Sequence, residues 1–196
     1  MLVTDLIESK NNLYRVYVDE EYAFSLYNNE LTRFHIKKDD TISLDLYTYI
    51  LDNVIFRRAK ERALFLLEKK PFSVFMMKNR LKENLYPESI IEQVIEFLER
   101  YRYLDDEMYI KMYVDTYESK KSKLRMIYDL SNKGISKDMI LEYLDSRDYS
   151  EEICFEQQFS KYVMNKDLTD YKERQKVFRY FLRKGFSVTL IQKYIK

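Results

Sequence analysis

Glycine and proline occur only twice each in 196 residues, cysteine and histidine once each, and tryptophan not at all. Each scarcity excludes something. Glycine-rich phosphate loops need at least two clustered glycines, and Gly134 and Gly185 stand far apart. One Cys and one His exclude a disulfide framework and an ordinary zinc site. A Ser-His-Asp or Cys-His catalytic set could rest only on His35. No apolar run is long enough to span a membrane, and no basic segment precedes an apolar one at the N-terminus, so neither a span nor a secretory signal is expected. A lone thiol fits a reducing compartment, and the cytosol is the expected location. Lys plus Arg number 34 against 33 Asp plus Glu. That balance rules out a basic coat over the whole chain but not a local basic face.

What is present is a core. Hydrophobic residues make up 46% and charged residues 34%, enough to bury a substantial interior. Residues 1–50 favour strands. Leu2, Val3, Leu6 and Ile7 form a short first run. Residues 14–18 and 22–27, rich in Tyr, Val and Phe, flank Asp19-Glu20-Glu21 and read as a hairpin. Asn28-Asn29 closes the second strand, and Leu31, Phe34 and Ile36 fit a short helical turn. From about residue 45 the apolar period becomes helical and stays so. Ala59, Ala63, Leu64, Leu66 and Leu67 form a stripe that stops at Pro71, with Ser73 as the next cap.

Leu85, Gly134 and Gly185 mark an internal repeat of about 50 residues. Met77, Met126 and Val177 stand eight residues before them, and Leu81, Leu130 and Phe181 four before. Tyr86, Ile135 and Phe186 follow directly. Ile90-Ile91, Met139-Ile140 and Leu190-Ile191 come next, then Val94-Ile95, Tyr143-Leu144 and Tyr194-Ile195. This pattern is one helix, a left-handed stop and a second helix. Ser136 and Ser187 are placed to cap the second helix. Leu85 and Pro87 break the pattern in copy one, which predicts a turn of different shape there, with Pro87 in the first helical turn. A third helix precedes each pair: residues 54–69, 105–119 (Met108, Tyr109, Met112, Tyr113) and 150–165 (Ile153, Phe155, Phe159, Val163). The expected fold is mostly α. Nine helices form three tandem three-helix repeats, 51–103, 104–148 and 149–196, in an elongated array behind a small β-rich extension, 1–50.

These residues resemble the RecX family, regulators of the RecA recombinase. Arg62-Ala63-Leu64-Phe65-Leu66-Leu67, Ser73, Arg80-Leu81 and Tyr86 look like the family's first repeat. Tyr103-Leu104-Asp105-Asp106-Glu107-Met108-Tyr109 is similar to its junction motif between repeats one and two. Leu130, Lys133-Gly134-Ile135 and Ile140 match the second repeat, and the hairpin resembles an N-terminal extension of some members. Leu85 and Arg102 stand where glycine is usual. The resemblance implies a non-enzymatic monomer without a cofactor. Such a protein binds the groove of the RecA–single-stranded DNA filament and reduces strand exchange, ATP hydrolysis and co-protease activity, with weak direct DNA binding and no membrane partner.

Charge alternates along the chain: net −4 over 1–50, +3 over 51–103, −2 over 104–148 and +4 over 149–196. Lys172, Lys176, Arg179 and Arg183 share one helix face, opposite Val177, Phe178, Phe181 and Leu182. Arg57, Arg58 and Arg62 form a second cluster. Lys121, Lys123 and Arg125, next to Lys120, form a third. Each is either a solvated helix face or a contact to filament DNA or an acidic filament surface. Asp105-Asp106-Glu107 reads as a helix start meeting the positive dipole end rather than a metal set. Tyr86, Tyr109, Tyr113 and Tyr143 read as core with hydroxyls reaching a partner. Cys154 reads as a buried thiol and His35 as a surface residue near a turn. The rival reading is a helical-repeat nucleic-acid-binding protein without a recombinase partner; an enzyme is disfavoured because no catalytic constellation is present.

Overall fold

The computed structural model describes residues 1–147 and 149–195. Residues 148 and 196, the expected ends of repeats two and three, lie outside them. The chain divides into two compact units, Met1–Asp105 and Asp106–Lys196.

The first unit opens with a three-stranded antiparallel sheet, β1 (Val3–Glu8), β2 (Leu13–Val18) and β3 (Glu21–Tyr27), in the order β1-β2-β3. The hairpin turn is two residues, not three, since Glu21 already pairs with Val18. Asp19 and Glu20 both take positive φ, 51° and 71°, the left-handed pair that matches strand twist. Without glycine that geometry is held by side chains: Asp19 Oδ1 accepts from Leu2 N at 2.8 Å, and Glu20 N donates to Thr4 Oγ1 at 3.0 Å. α1 (Asn28–Arg33) follows β3 directly, so Asn28 starts a helix instead of closing a strand.

α2 (Leu44–Tyr49) runs through a π-helical segment, Ile50–Ile55, into α3 (Phe56–Lys69). The first repeat helix therefore begins ten residues before its expected start at 54. The wider turn, with Phe56 N bonded to Leu51 O, keeps both Ile50 and Ile55 on the buried side. Ala59 and Ala63 are fully buried in α3, which packs on α5 (Glu88–Arg100) and α4 (Val74–Glu83).

The second unit carries α6 (Asp106–Tyr117), α7 (Lys123–Ser131), α8 (Lys137–Asp145), α9 (Glu151–Val163), α10 (Tyr171–Arg183) and α11 (Val188–Tyr194). The nine expected repeat helices are α3 to α11. The repeat positions are core: Met77, Met126, Val177, Leu81, Leu130, Phe181, Ile140 and Ile191 are fully buried. Two stripes differ from expectation. In α6 the buried residues are Tyr109, Ile110, Tyr113 and Val114, while Met108 and Met112 are exposed. In α9, Cys154 and Phe155 turn inward and Ile153 outward. In both, an unbroken run of large side chains hides which residue faces in.

The three turns between repeat helices have one geometry. Leu85 (φ 61°), Gly134 (80°) and Gly185 (86°) all occupy the left-handed region. In each, the following amide bonds back five residues: Tyr86 to Leu81 O, Ile135 to Leu130 O and Phe186 to Phe181 O, at 3.3, 3.3 and 3.2 Å. The marker residue bonds back three, to Lys82, Ser131 and Leu182 carbonyls. This is a Schellman stop with its apolar contact between the residue after the turn and the last inner helix residue. The turn at Leu85 thus has the same shape as the others, against the sequence expectation, and Pro87 is the N-cap of α5 rather than inside its first turn. Tyr22 from the sheet explains the tolerance: its hydroxyl donates to Leu85 O, and Ser25 Oγ lies 2.9 Å from the same hydroxyl. Ser73, Ser136 and Ser187 cap α4, α8 and α11 as expected, and Ser43, Ser122 and Ser150 do the same for α2, α7 and α9.

Arg102 (φ 56°) and His35 (φ 54°) close α5 and α1 with the same five-residue bond-back, Tyr103 to Leu98 O and Ile36 to Leu31 O. Both are exposed. A left-handed residue with a Cβ costs about 1–2 kcal/mol, part of which returns as lost unfolded-state freedom. Arg102→Gly is therefore expected to raise stability by about 0.5–1 kcal/mol. The urea midpoint reads this, and an unchanged or lower midpoint contradicts it.

Candidate functional site

The basic face of α10 stands on its apolar one. Val177 and Phe181 are fully buried, Phe178 is half-buried, and Leu182 is exposed, so the inner stripe is narrower than the sequence suggests. Asp170 caps the helix, accepting from Lys172 N at 3.0 Å. Lys172, Lys176, Arg179 and Arg183 are all exposed. Lys176 is held by Glu173 at 2.6 Å, which keeps its ammonium protonated further up in pH than usual. Among the described residues, no carboxylate lies within ion-pair distance of Lys172, Arg179 or Arg183.

The repeat-one arginines do different work. Arg57 is exposed and pairs with Glu61 at 2.9 Å. Arg58 is a brace: it binds the Glu30 carboxylate on α1, donates to Ser25 O at 3.3 Å and lies 4.8 Å from the Tyr27 ring centroid. That arrangement ties the sheet and α1 to α3, and leaves Arg58 largely covered. Arg62 extends over Phe65 at 5.7 Å, with its Nε buried and without a hydrogen-bond partner among the described residues.

The third cluster divides as well. Lys121 donates to Asp129 Oδ2 at 2.8 Å and to Tyr113 Oη at 2.7 Å, and stands 4.1 Å from the Tyr117 ring centroid. Tyr113 Oη in turn donates to Asp129 Oδ2 at 2.8 Å. Burial, joined by the carboxylate, pushes Tyr113 up to about 12. Burial also acts to raise Asp129, but hydrogen bonds from Lys121 and Tyr113 and the charges of Lys121 and Arg125 outweigh it, and its carboxyl lies below the ordinary range. A carboxyl depressed on folding adds stability that is complete above its unfolded value, about 3.9, and fades as pH falls through the lower folded value. The stability gap between wild type and Asp129→Asn is therefore expected to be constant from pH 7 to about 5 and to close below about pH 4. Urea unfolding along a pH series measures it; a gap that widens in acid contradicts the sign.

Lys123 pairs with Asp145, and its backbone N donates to Glu151 Oε1 at 2.8 Å. Arg125 pairs with Asp129 at 3.1 Å. Ser122 is buried; its hydroxyl accepts from Arg125 N and donates to Lys184 O at 2.7 Å. Tyr149 Oη donates to Lys121 O at 3.2 Å. These bonds stitch the α6–α7 link to α9 and to the turn after α10. They bring Lys120, Lys121, Arg125, Arg183 and Lys184 around one cavity of about 230 Å³, whose lining is completed by Ser122, Gln158 and Phe186. Sequence proximity groups Lys120, Lys121 and Arg125 but does not join them to Arg183, Lys184 or Gln158; the one local signal is Gly185, whose turn positions Lys184.

Cys154 is 2% exposed, and burial raises its thiol above the usual range. Tyr109 and Tyr113 are buried, while Tyr86 and Tyr143 are half-buried. Burial pushes Tyr86 up to about 12. Asp106 and Glu107 lie in the first turn of α6. Among the described residues, no three His, Cys, Asp or Glu side chains gather as a metal set, and no helix is long and apolar enough to cross a membrane.

Fold and surface together define a class: tandem three-helix repeats behind a small sheet, with cationic helix faces. Family models for the first and third three-helix domains of RecX match residues 59–98 and 151–195. The regulatory protein RecX of Clostridium acetobutylicum is 31% identical, over 96% of this chain and 91% of its own. That of Clostridium beijerinckii is 30% identical over 99% and 94%. A crystal structure of regulatory protein RecX superposes with a TM-score of 0.63 at 22% identity, covering 97% of both chains. RecX from Lactobacillus salivarius gives 0.58 at 20% identity, over 70% of this chain and 92% of its own. The chain belongs to the RecX family of regulatory proteins.

Proposed function

We propose that this protein binds the RecA–single-stranded DNA filament and restrains strand exchange, ATP hydrolysis and co-protease activity, so acting in homologous recombination and the SOS response. Kinship with RecX proteins along nearly the whole chain carries the reading. The contacts of this reading are cationic: in the second unit, the α10 row at Lys172, Arg179 and Arg183 and the cluster at Lys120 and Arg125, with Lys121, Lys123 and Lys176 held in ion pairs beside them; in the first unit, taken by itself, Arg57 and Arg62, with Arg58 as a brace. The working boundaries are 1–50 for the extension and 51–103, 104–148 and 149–196 for the repeats. The protein acts in the cytoplasm as a monomer, by occupancy rather than chemistry.

Purified protein added to RecA filaments on single-stranded DNA is expected to lower the steady-state ATP hydrolysis rate several-fold at stoichiometric protein. An unchanged rate with folded protein contradicts the reading. Tight, steeply salt-dependent binding to bare DNA with no effect on RecA would favour the rival, a nucleic-acid binder without a recombinase partner.

A further inference from the structure

The cavity at the Ser122–Lys184 junction is more than a basic stretch of surface. Five cations line it, and the paired carboxylate nearest to them, Asp129, is already engaged by both Lys121 and Arg125. Lys184 Nζ is held by Gln158 Oε1 at 2.7 Å and stands 4.9 Å from the Tyr180 ring centroid. Neither partner neutralises it. Among the described residues, Lys120, Arg183 and Lys184 have no carboxylate within ion-pair distance. Five cations against the one carboxylate of Asp129 leave an excess of positive charge that raises the affinity for a compact anion.

We propose that this cavity binds a phosphate group of a single-stranded nucleic acid. Its volume of about 230 Å³ has room for one phosphodiester with its ester oxygens. Two guanidinium groups, Arg125 and Arg183, suit the fork geometry of phosphate oxygens. Continuity with α10 sets the strand as the phosphate carrier. From Arg183 the row runs to Arg179 one helical turn away, about 6 Å along the axis, a step comparable to that between successive phosphates of an extended strand. Phosphate contacts of this kind position a strand without reading its sequence. The identity of the carrier rests on the filament reading above; the existence of the phosphate site rests on the cavity alone.

The protein supplies its own reporter. Its two glycines, Gly185 beside the cavity and Gly134 in the equivalent turn away from it, are the only two glycine amides in an amide correlation spectrum. A ~12-nucleotide oligothymidylate is expected to shift the Gly185 amide and leave Gly134 in place. Lys120→Gln with Arg183→Gln, both exposed positions, is expected to weaken the oligonucleotide at least tenfold and to remove the Gly185 shift, with Gly134 unmoved as the sign of an intact fold. A Gly185 amide that does not move, or a double variant that binds as wild type, overturns the site. Inorganic phosphate shifting Gly185 at the same concentration as the oligonucleotide overturns the strand as its carrier. RecA ATP hydrolysis separates the two readings. A double variant that loses the oligonucleotide but still slows RecA like wild type removes the cavity from the filament contact and leaves the filament reading standing. Wild type that binds the oligonucleotide at Gly185 without affecting RecA does the reverse.

Discussion

Gly185→Ala is expected to destabilise the second unit by about 2–4 kcal/mol, and Gly134→Ala by only about 1–2 kcal/mol. Both glycines have the same backbone, at φ 86° and 80°. The left-handed penalty of a Cβ is therefore common to both, about 1–2 kcal/mol. Their surroundings differ. A Cβ on Gly185 would sit 2.8 Å from Ser122 Oγ and 3.5 Å from Arg125 N. Ser122 cannot yield without loss, because its hydroxyl both caps α7 and donates to Lys184 O. Displacing it removes a buried N-cap and a buried hydrogen bond, about 1–2 kcal/mol together. Gly134 is exposed, so its substitution brings the backbone term alone. Urea unfolding of the two variants side by side measures the difference. Equal losses would mean that the Ser122–Lys184 bond does not hold the α7 link against the turn after α10.

Lys172→Glu with Arg179→Glu is expected to weaken filament binding at least tenfold in low salt, with the gap closing as salt rises. These two are chosen because they are the exposed cations of α10 that have no carboxylate partner and do not line the cavity. Lys176 is left intact because Glu173 already holds it, and reversing it would set two carboxylates side by side. The apolar face that seats the helix, Val177 and Phe181, is untouched, so stability is expected to stay near wild type. Fluorescence anisotropy of the labelled protein on preformed filaments, over a salt series, reads both affinity and slope. Binding unchanged at low salt would remove this row from the interface.

Much of the fold is legible in the sequence because its stops are chemically marked. Gly134 and Gly185 announce left-handed turns, and Ser136 and Ser187 announce the helices that follow. Leu85, Arg102 and His35 take the same backbone without the residue that signals it; at Leu85 a bond from distant Tyr22 supports the stop, and at Arg102 and His35 the local bond-back from Tyr103 and Ile36 closes it. The register of α6 is not legible, since Met108-Tyr109-Ile110 and Met112-Tyr113-Val114 offer apolar residues on every side, and packing alone selects Tyr109, Ile110, Tyr113 and Val114. At the candidate site, composition shows the cations but not their partners. Asp129 lies four residues beyond Arg125 and could be paired with it by spacing. Glu30 lies 28 residues before Arg58, and no local pattern connects them. The cavity escapes for the same reason: Lys120 and Arg183 meet only once Ser122 and Gly185 have brought two repeats together.

Binding of the protein to three targets at one ionic strength tests the central claim most directly: RecA filaments on single-stranded DNA, the same DNA bare, and RecA without DNA. The assembled filament is expected to bind the protein at least tenfold more tightly than either component alone. Equal or tighter binding to the bare strand would contradict it.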